Sequence, residues 1–280
     1  MRRGLQLAGA LLLVLAAGGC SSIQSALVPT GEEARQVAVL FWGMTAFLGA
    51  VLIGVCVAAA VAIGGGERSR QLLSRHGFII GAGLVFPAVS VLALLVFGLQ
   101  VMASRAAAGT DPNAVRAAIV GEQWWWRVIY TLPDGRRFES ANELRIPVGV
   151  PVSLELMTAD VIHSFWVPSL AGKLDMIPGR TNVLTLEATE PGISRGQCAE
   201  YCGGAHALMS FHVVALDAAE YEAWIAHEAA DALPPGSANA AGARLFAESG
   251  CGACHAVRGT NAAGVIGPDL THVGGRLSLA

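Results

Sequence analysis

Two long stretches without a charge limit what this 280-residue chain can fold into. Val37 to Ile63 reads VAVLFWGMTAFLGAVLIGVCVAAAVAI, 27 uncharged residues, and Gly77 to Ala103 is a second run of 27. About 20 apolar residues cross the hydrocarbon layer of a membrane, so each run can span with some tilt. The competing reading, a pair of buried core helices, would normally show a polar stripe. Composition agrees with spans: 54% of residues are hydrophobic and only 14% charged, unlike an ordinary soluble domain. The connection GGGERSRQLLSRH sets Arg68, Arg70 and Arg75 against Glu67. Arginines in a short loop favour the cytoplasmic side. A hairpin over 37–103 is therefore expected, with both termini on the outer face. Pro87 lacks a backbone donor and is expected to kink the second span.

A third apolar feature precedes the hairpin. MRRG is a basic start, LQLAGALLLVLAA a short apolar core, and AAGGC sets small residues before Cys20. This is too short to span and has the anatomy of a signal peptide over 1–19. It resembles a bacterial lipoprotein signal, which implies lipidation at Cys20; the alternative is ordinary cleavage near Ala17. Residues 20–36 would then be an outer segment leading into the first span.

The outer region from Asp111 to Glu228 carries 15 acidic and 8 basic residues, a net charge of −7 with histidine neutral. Such a surface disfavours nucleic acid and attracts a basic partner. Of the six cysteines, Cys56 lies inside the first span as a small apolar residue. Cys198 with Cys202, and Cys251 with Cys254, form two pairs. An oxidising compartment makes a disulfide the default for paired cysteines, but other ligand types surround each of these pairs.

CGACH at Cys251 to His255 is C-x-x-C-H, the attachment signature of c-type haem. Cys251 and Cys254 would add to the haem vinyl groups and His255 would ligate iron. Redox and zinc readings compete for the bare pattern. Here it follows an export signal and a helix-like run, GARLFAES, and precedes GPDL at Gly267 to Leu270. That loop resembles the one whose proline carbonyl holds the proximal histidine in small cytochromes c.

QCAEYCGGAHALM, Gln197 to Met209, places Cys198, Cys202, His206 and Met209 within a dozen residues. Thiolate and thioether favour copper or zinc over magnesium or calcium. A structural zinc site wants two more cysteines or a second nearby histidine, and none follows at such spacing. A mononuclear blue-copper site uses one cysteine. Two thiolates on one loop can instead bridge two coppers, each wanting an imidazole. His163, just after the alternating run Val150 to Ala159, can supply the second; His76 lies in the cytoplasmic loop, His227 in a predicted helix and His212 on a strand.

HSFWVPSLAGKLDMIPGR followed by RGQCAEYCGGAHALM resembles subunit II of the haem-copper cytochrome c oxidases. The resemblance runs from about Glu33 to His227. It implies a binuclear copper (CuA) centre with His163 and His206 as imidazole ligands and Cys198 and Cys202 as bridging thiolates. It also implies Met209 as a weak axial sulfur and Glu200 ligating through its carbonyl. The Glu200 side chain would serve a magnesium site shared with subunit I. GEQWWWRVIY resembles the family's aromatic stretch, and Trp124 would be where electrons enter. Asp175 and Arg180 would face the haem propionates of subunit I. Where the family often has a glutamate near the start of the second span, this chain has Ile80. Glu67 could take that role, or the proton path could begin in subunit I.

The implied fold is a two-helix transmembrane hairpin followed by an all-β cupredoxin domain, a Greek-key sandwich over 104–230, whose strand and turn spacing reads as antiparallel. Asp217-x-x-Glu220 is expected to open a closing helix as a capping box. LPPGSANAAGA marks a linker over 231–243, and 244–280 is expected to be a partial α-helical cytochrome c domain. That family type supplies a distal methionine, yet all six methionines lie at Met209 or earlier, and the domain is expected to continue in a longer natural chain. His272, following GPDLT directly, is not expected to reach the opposite face of a haem. The resemblance implies an electron-relay subunit in a bacterial inner membrane. Its partners would be subunits I and III and cytochrome c, its cofactors CuA, haem c and magnesium, and oxygen reduction with proton pumping would occur in subunit I. The alternatives are the CuA subunit of a nitric oxide reductase and a membrane-anchored copper-trafficking protein.

Overall fold

A computed structural model describes residues 23–108 and 114–278. The expected signal segment and Cys20 lie outside the described residues. The described chain forms two units, divided near Arg35 and Ala114.

The helical unit holds α1 (Glu32–Gly64), α2 (Glu67–Leu73), α3 (His76–Ile80) and α4 (Phe86–Ala108). Glu32–Gly64 and His76–Gln100 are both long and apolar enough to cross a membrane. α1 starts before the uncharged run because Glu32 and Glu33 suit the positive end of a helix dipole. The arginine-rich connection is largely the short helix α2. Gly81–Val85 forms a π-turn, with the Phe86 N–H reaching back to the Gly81 carbonyl. It sits where Pro87 offers no N–H, so the expected irregularity appears as a widened turn.

The second unit is a sandwich of two five-stranded sheets. The strands are β1 (Val115–Glu122), β2 (Trp125–Thr131), β3 (Arg137–Ala141), β4 (Glu143–Pro147), β5 (Val152–Thr158), β6 (His163–Trp166), β7 (Leu174–Met176), β8 (Asn182–Leu186), β9 (Gly192–Cys198) and β10 (Ser210–Leu216). One sheet runs β3-β2-β1-β5-β8 and the other β4-β10-β9-β6-β7. The pairing is not wholly antiparallel as spacing suggested: β1 with β5 and β4 with β10 are parallel. Each of these pairs joins strands distant in sequence, which turn signals between consecutive strands cannot reveal. Alternation fills the space between the sheets with Ile119, Trp126, Leu144, Ile146, Leu154, Leu156, Phe165 and Phe211, all at most 2% exposed.

The segment before α1 also belongs to this unit. Thr30 and Gly31 donate backbone hydrogen bonds to the Ser169 carbonyl. A Cβ on Gly31 would fall 2.4 Å from the Leu170 carbonyl oxygen, so only glycine permits that approach. After β10, α5 (Ala218–Glu228) packs Trp224 against Tyr130, ring centroids 5.2 Å apart. Asp217 stands at its N-cap, but its side chain makes no capping bond, so the expected capping box does not form. The Asp217 carbonyl accepts the Tyr221 N–H, the ordinary first bond of the helix. α6 (Ala240–Glu248) and two short 3₁₀ turns, Cys251–Ala253 and Val273–Gly275, complete the described chain.

Candidate metal centre

The loop from Cys198 to Met209 joins neighbouring strands, and sheet pairing shapes it. β9 and β10 are antiparallel, with Ser210 opposite Gln197, so the loop must return on itself. The Cys198 N–H to Met209 carbonyl bond, 2.9 Å, closes its mouth. On the other side β6 pairs with β9, and the Ala199 N–H donates to the Ser164 carbonyl at 2.9 Å. These bonds bring His163, the first residue of β6, over the loop. Gly203 has φ +117°, and a Cβ there would meet Gln123 and Trp124 at 3.2 Å, so the turn needs glycine for conformation and space.

The two sulfurs lie 3.8 Å apart. Each has its own imidazole: His163 Nδ1 is 3.7 Å from Cys198 Sγ, and His206 Nδ1 is 3.6 Å from Cys202 Sγ. Met209 Sδ lies 3.8 Å from Cys202 Sγ, and the Glu200 carbonyl oxygen 3.1 Å from Cys198 Sγ. His163, both cysteines and Met209 are buried, His206 is half-buried, and the Glu200 side chain is exposed. Soft donors thus converge from one loop and one strand in a water-poor pocket. That donor set suits a thiophilic metal such as copper.

The two thiols differ as acids. Burial works against ionising Cys198, but its hydrogen bonding, first of all to His163, outweighs that and brings it down to about 6. Burial and then the Cys198 thiolate push Cys202 up to about 12. The pair therefore takes one negative charge readily and resists the second until a cation arrives.

Several neighbours carry no motif of their own. Asp160 Oδ1 lies 2.8 Å from His163 Nε2, which leaves Nδ1 facing the sulfurs. Asp160 also accepts the Gln123 N–H at 2.7 Å and the Val161 N–H at 2.6 Å. Burial alone would raise its pKa, but these bonds hold it below the usual carboxylate range. A carboxylate that fixes the far nitrogen of a ligating histidine orients the ring and increases its basicity. A carboxylate three residues before a candidate histidine was the available signal. Gly121 is the other unheralded residue: a Cβ there would lie 2.8 Å from His163 Cδ2.

The three tryptophans have separate surroundings. Trp124 is 38% exposed and its Nε1 donates to the Cys202 carbonyl at 3.2 Å, beside Gln123 Nε2 at 2.7 Å. Trp125 lies beneath the Arg127 guanidinium, 4.7 Å from ring centroid to Cζ. Trp126 is fully buried and packs against His163, Phe165 and Phe211.

The remaining predicted residues lie outside this cluster. Asp175 accepts from Ser164 Oγ at 2.8 Å and pairs with Lys173 at 3.1 Å, while Arg180 is exposed in the turn after β7. Cys251, Cys254 and His255 sit in the C-terminal segment. His255 Nδ1 is 2.8 Å from the Pro268 carbonyl, the contact the GPDL loop suggested. A Cβ on Gly267 would fall 2.6 Å from His255 Cε1, so the loop lies against the ring. An apolar groove of 1120 Å³ beside the 3₁₀ turn is lined by residues including Phe246, Val257, Leu270 and Val273.

Fold and site together define a β-sandwich with a largely buried pocket of two cysteines and two histidines, joined to two apolar helices. Residues 132–216 match the family described as cytochrome C oxidase subunit II, periplasmic domain. Over 169 residues, 60% of this chain and 48% of the relative, the sequence is 44% identical to cytochrome c oxidase subunit 2 of Alkalihalophilus pseudofirmus. Over 123 residues, 38% of this chain and 54% of the relative, it is 37% identical to cytochrome c oxidase subunit 2 of Branchiostoma floridae. The chain spans about half the length of these curated relatives. Among solved structures, the periplasmic domain of subunit II of cytochrome oxidase (CoxB) of Bradyrhizobium japonicum superimposes with a TM-score of 0.40 at 30% identity, covering 42% of this chain and 95% of that one. By the family match, residues 132–216 are similar to the periplasmic domain of cytochrome c oxidase subunit II.

Proposed function

We propose that this chain is the electron-relay subunit of a respiratory cytochrome c oxidase. It takes electrons from cytochrome c, external or attached, and delivers them to the haem-bearing subunit I, where oxygen is reduced to water with proton pumping. One observation carries this reading: two buried sulfurs 3.8 Å apart, each with its own imidazole at 3.6–3.7 Å. A single-thiolate copper site has no use for the second cysteine, and a trafficking site gains nothing from burying its ligands under a tryptophan.

His163, Cys198, Glu200 through its carbonyl, Cys202, His206 and Met209 would hold a binuclear copper centre. Bound there, that centre supplies one-electron chemistry. The chain's own work is to keep the donor geometry fixed and dry: Asp160 orients His163, the β9–β10 pairing closes the loop, and Phe165 and Phe211 exclude water. Trp124, partly exposed and bonded to the Cys202 carbonyl, is the edge at which electrons enter. The Glu200 side chain, exposed beside the site, would contribute to a magnesium site shared with subunit I, where Asp175 and Arg180 would also lie. Helices α1 and α4 anchor the sandwich on the outer face of a bacterial inner membrane, with subunit III in the same assembly.

In the C-terminal segment, free Cys251 and Cys254, His255 held at Nδ1 with Nε2 left available, and the glycine at 267 fit covalent haem c. That haem would supply a second one-electron carrier.

Metal stoichiometry and paramagnetic resonance of the copper-loaded chain test the central claim. Two coppers per chain, with one unpaired electron shared equally between them, are expected. One copper with a blue single-thiolate spectrum would refute it.

A further inference from the structure

LPPGSANAAGA reads as a linker over 231–243, yet the C-terminal segment is bound to the sandwich at three places. At the first, Arg258 enters the C-terminal end of α5, where helix carbonyls lack partners and attract a cation. Its guanidinium pairs with Asp269 at 2.7 Å and donates to the carbonyls of Glu228 and Ala230. It also lies 5.9 Å from the Phe138 ring, and its own carbonyl accepts the Ala232 N–H at 3.0 Å. His272 adds a contact to the Ala230 carbonyl at 3.0 Å and packs on His227. At the second place, Arg145 donates to the Gly275 carbonyl at 3.1 Å, and the Leu277 N–H donates to Glu143 at 2.8 Å. At the third, Arg127 donates to the Val265 carbonyl at 2.9 Å while Glu122 and Glu139 hold it from the other side.

We propose that this face of the sandwich is a dedicated docking surface for the chain's own CGACH segment, with Arg258, Arg145 and Arg127 as positioning residues that hold it in one pose. The third contact sets the orientation. Val265 is two residues from Gly267, which lies against the His255 ring. Arg127 covers Trp125, whose neighbour Trp124 bonds the Cys202 carbonyl. A continuous line of contacts therefore joins the His255 loop to the dithiolate pocket. Flexible tethering alone would give a donor at roughly millimolar effective concentration; docking instead gives one fixed separation. The docking stands on the chain's own contacts, whereas its use for electron transfer rests on the haem and copper readings above.

The test is amide hydrogen exchange on the full chain in detergent, in the native sequence and in Arg258→Ala and Arg127→Ala. Protection of the Ala232 and Leu277 amides is expected in the native chain. Arg258→Ala should raise exchange at Ala232 by roughly tenfold or more, because it removes a charge-assisted anchor. The Val213 amide inside the sandwich should not change, which separates undocking from unfolding. Arg127→Ala should act only near Val265. In the haem- and copper-loaded chain, one electron passing from ferrous iron to oxidised copper, with no bond made or broken, should do so more slowly in both variants with unaltered spectra. Exchange at Ala232 and Leu277 as fast as in an unstructured chain, or unmoved by Arg258→Ala, would overturn the docking. A native chain that takes up no haem yet shows the protection supports the docking and removes only the haem reading.

Discussion

Replacing Gly121 with alanine tests whether the pocket's rigidity resides in the strand behind it. Gly121 is near the end of β1, paired with Trp126 on one side and Thr158 on the other. A Cβ built there lies 2.8 Å from His163 Cδ2, 3.0 Å from Cγ and 3.2 Å from Cβ, against an ordinary contact of 3.4–4 Å. The imidazole must therefore retreat by at least about half an ångström, or the strand must move by as much. Metal–ligand distances tolerate only about 0.2 Å. The ring has little room to yield, because Asp160 pins Nε2 at 2.8 Å and Trp126 lies 6.2 Å away, centroid to centroid. If the ring moves, copper affinity should fall roughly ten- to hundredfold, the usual scale for a disturbed ligand orientation. If the strand moves, the metal-free chain should lose about 1–3 kcal/mol to overpacking. Copper competition against a chelator and denaturant unfolding of the copper-free chain separate the two outcomes. Gly204→Ala is the control, since its nearest neighbour is 4.0 Å away on Trp124. Gly121→Ala with native affinity, spectrum and stability would show that the strand does not constrain His163.

The remaining predictions concern other parts of the sandwich. Cys198→Ser should abolish the two-copper spectrum, whereas Met209→Leu should keep both coppers and shift the potential, as redox titration would show. Asp160→Asn should lower copper affinity roughly ten- to hundredfold while preserving the fold, measured by the same chelator competition. Trp124→Ala should slow reduction by a soluble cytochrome without changing the copper spectrum; an unchanged rate moves the accepting edge elsewhere. Burial raises the pKa of Glu228 above the usual glutamate range, although His272, Arg276, Arg258 and Arg145 oppose it; Tyr130 also interacts with it. A raised carboxyl pKa means that the folded state holds the proton more tightly. The contribution of Glu228 to folding stability should therefore be full below the ordinary glutamate pKa and be lost as pH rises through the raised value. Glu228→Gln should flatten that part of the pH profile of stability, read by denaturant unfolding.

What could be read from the sequence was what local spacing encodes. The spacing of Cys198, Cys202, His206 and Met209 is set within one loop, and two unbroken apolar runs announce their helices without help from the fold. His163 was within reach because only a few histidines competed for its role. Asp160 and Gly121 were not legible in the same way. Gly121 belongs to β1 in one sheet and His163 to β6 in the other, and their contact exists only once the sheets are stacked. The tryptophan triplet shows the same limit: composition names three aromatic residues, but only the pleat of β2 buries Trp126 and only the turn before it sets Trp124 against the loop. Asp217 had the letters of a cap without forming one, because such a pattern records an opportunity that the side chain need not take. The C-terminal docking was the least visible of all, for a physical reason. Arg258, Arg145 and Arg127 stand far apart in sequence, and most of their docking partners are carbonyl oxygens of Glu228, Ala230, Gly275 and Val265. Every residue carries a carbonyl, so an arginine that recognises one leaves no complementary letter elsewhere in the chain, and only the folded path of the backbone shows where it binds.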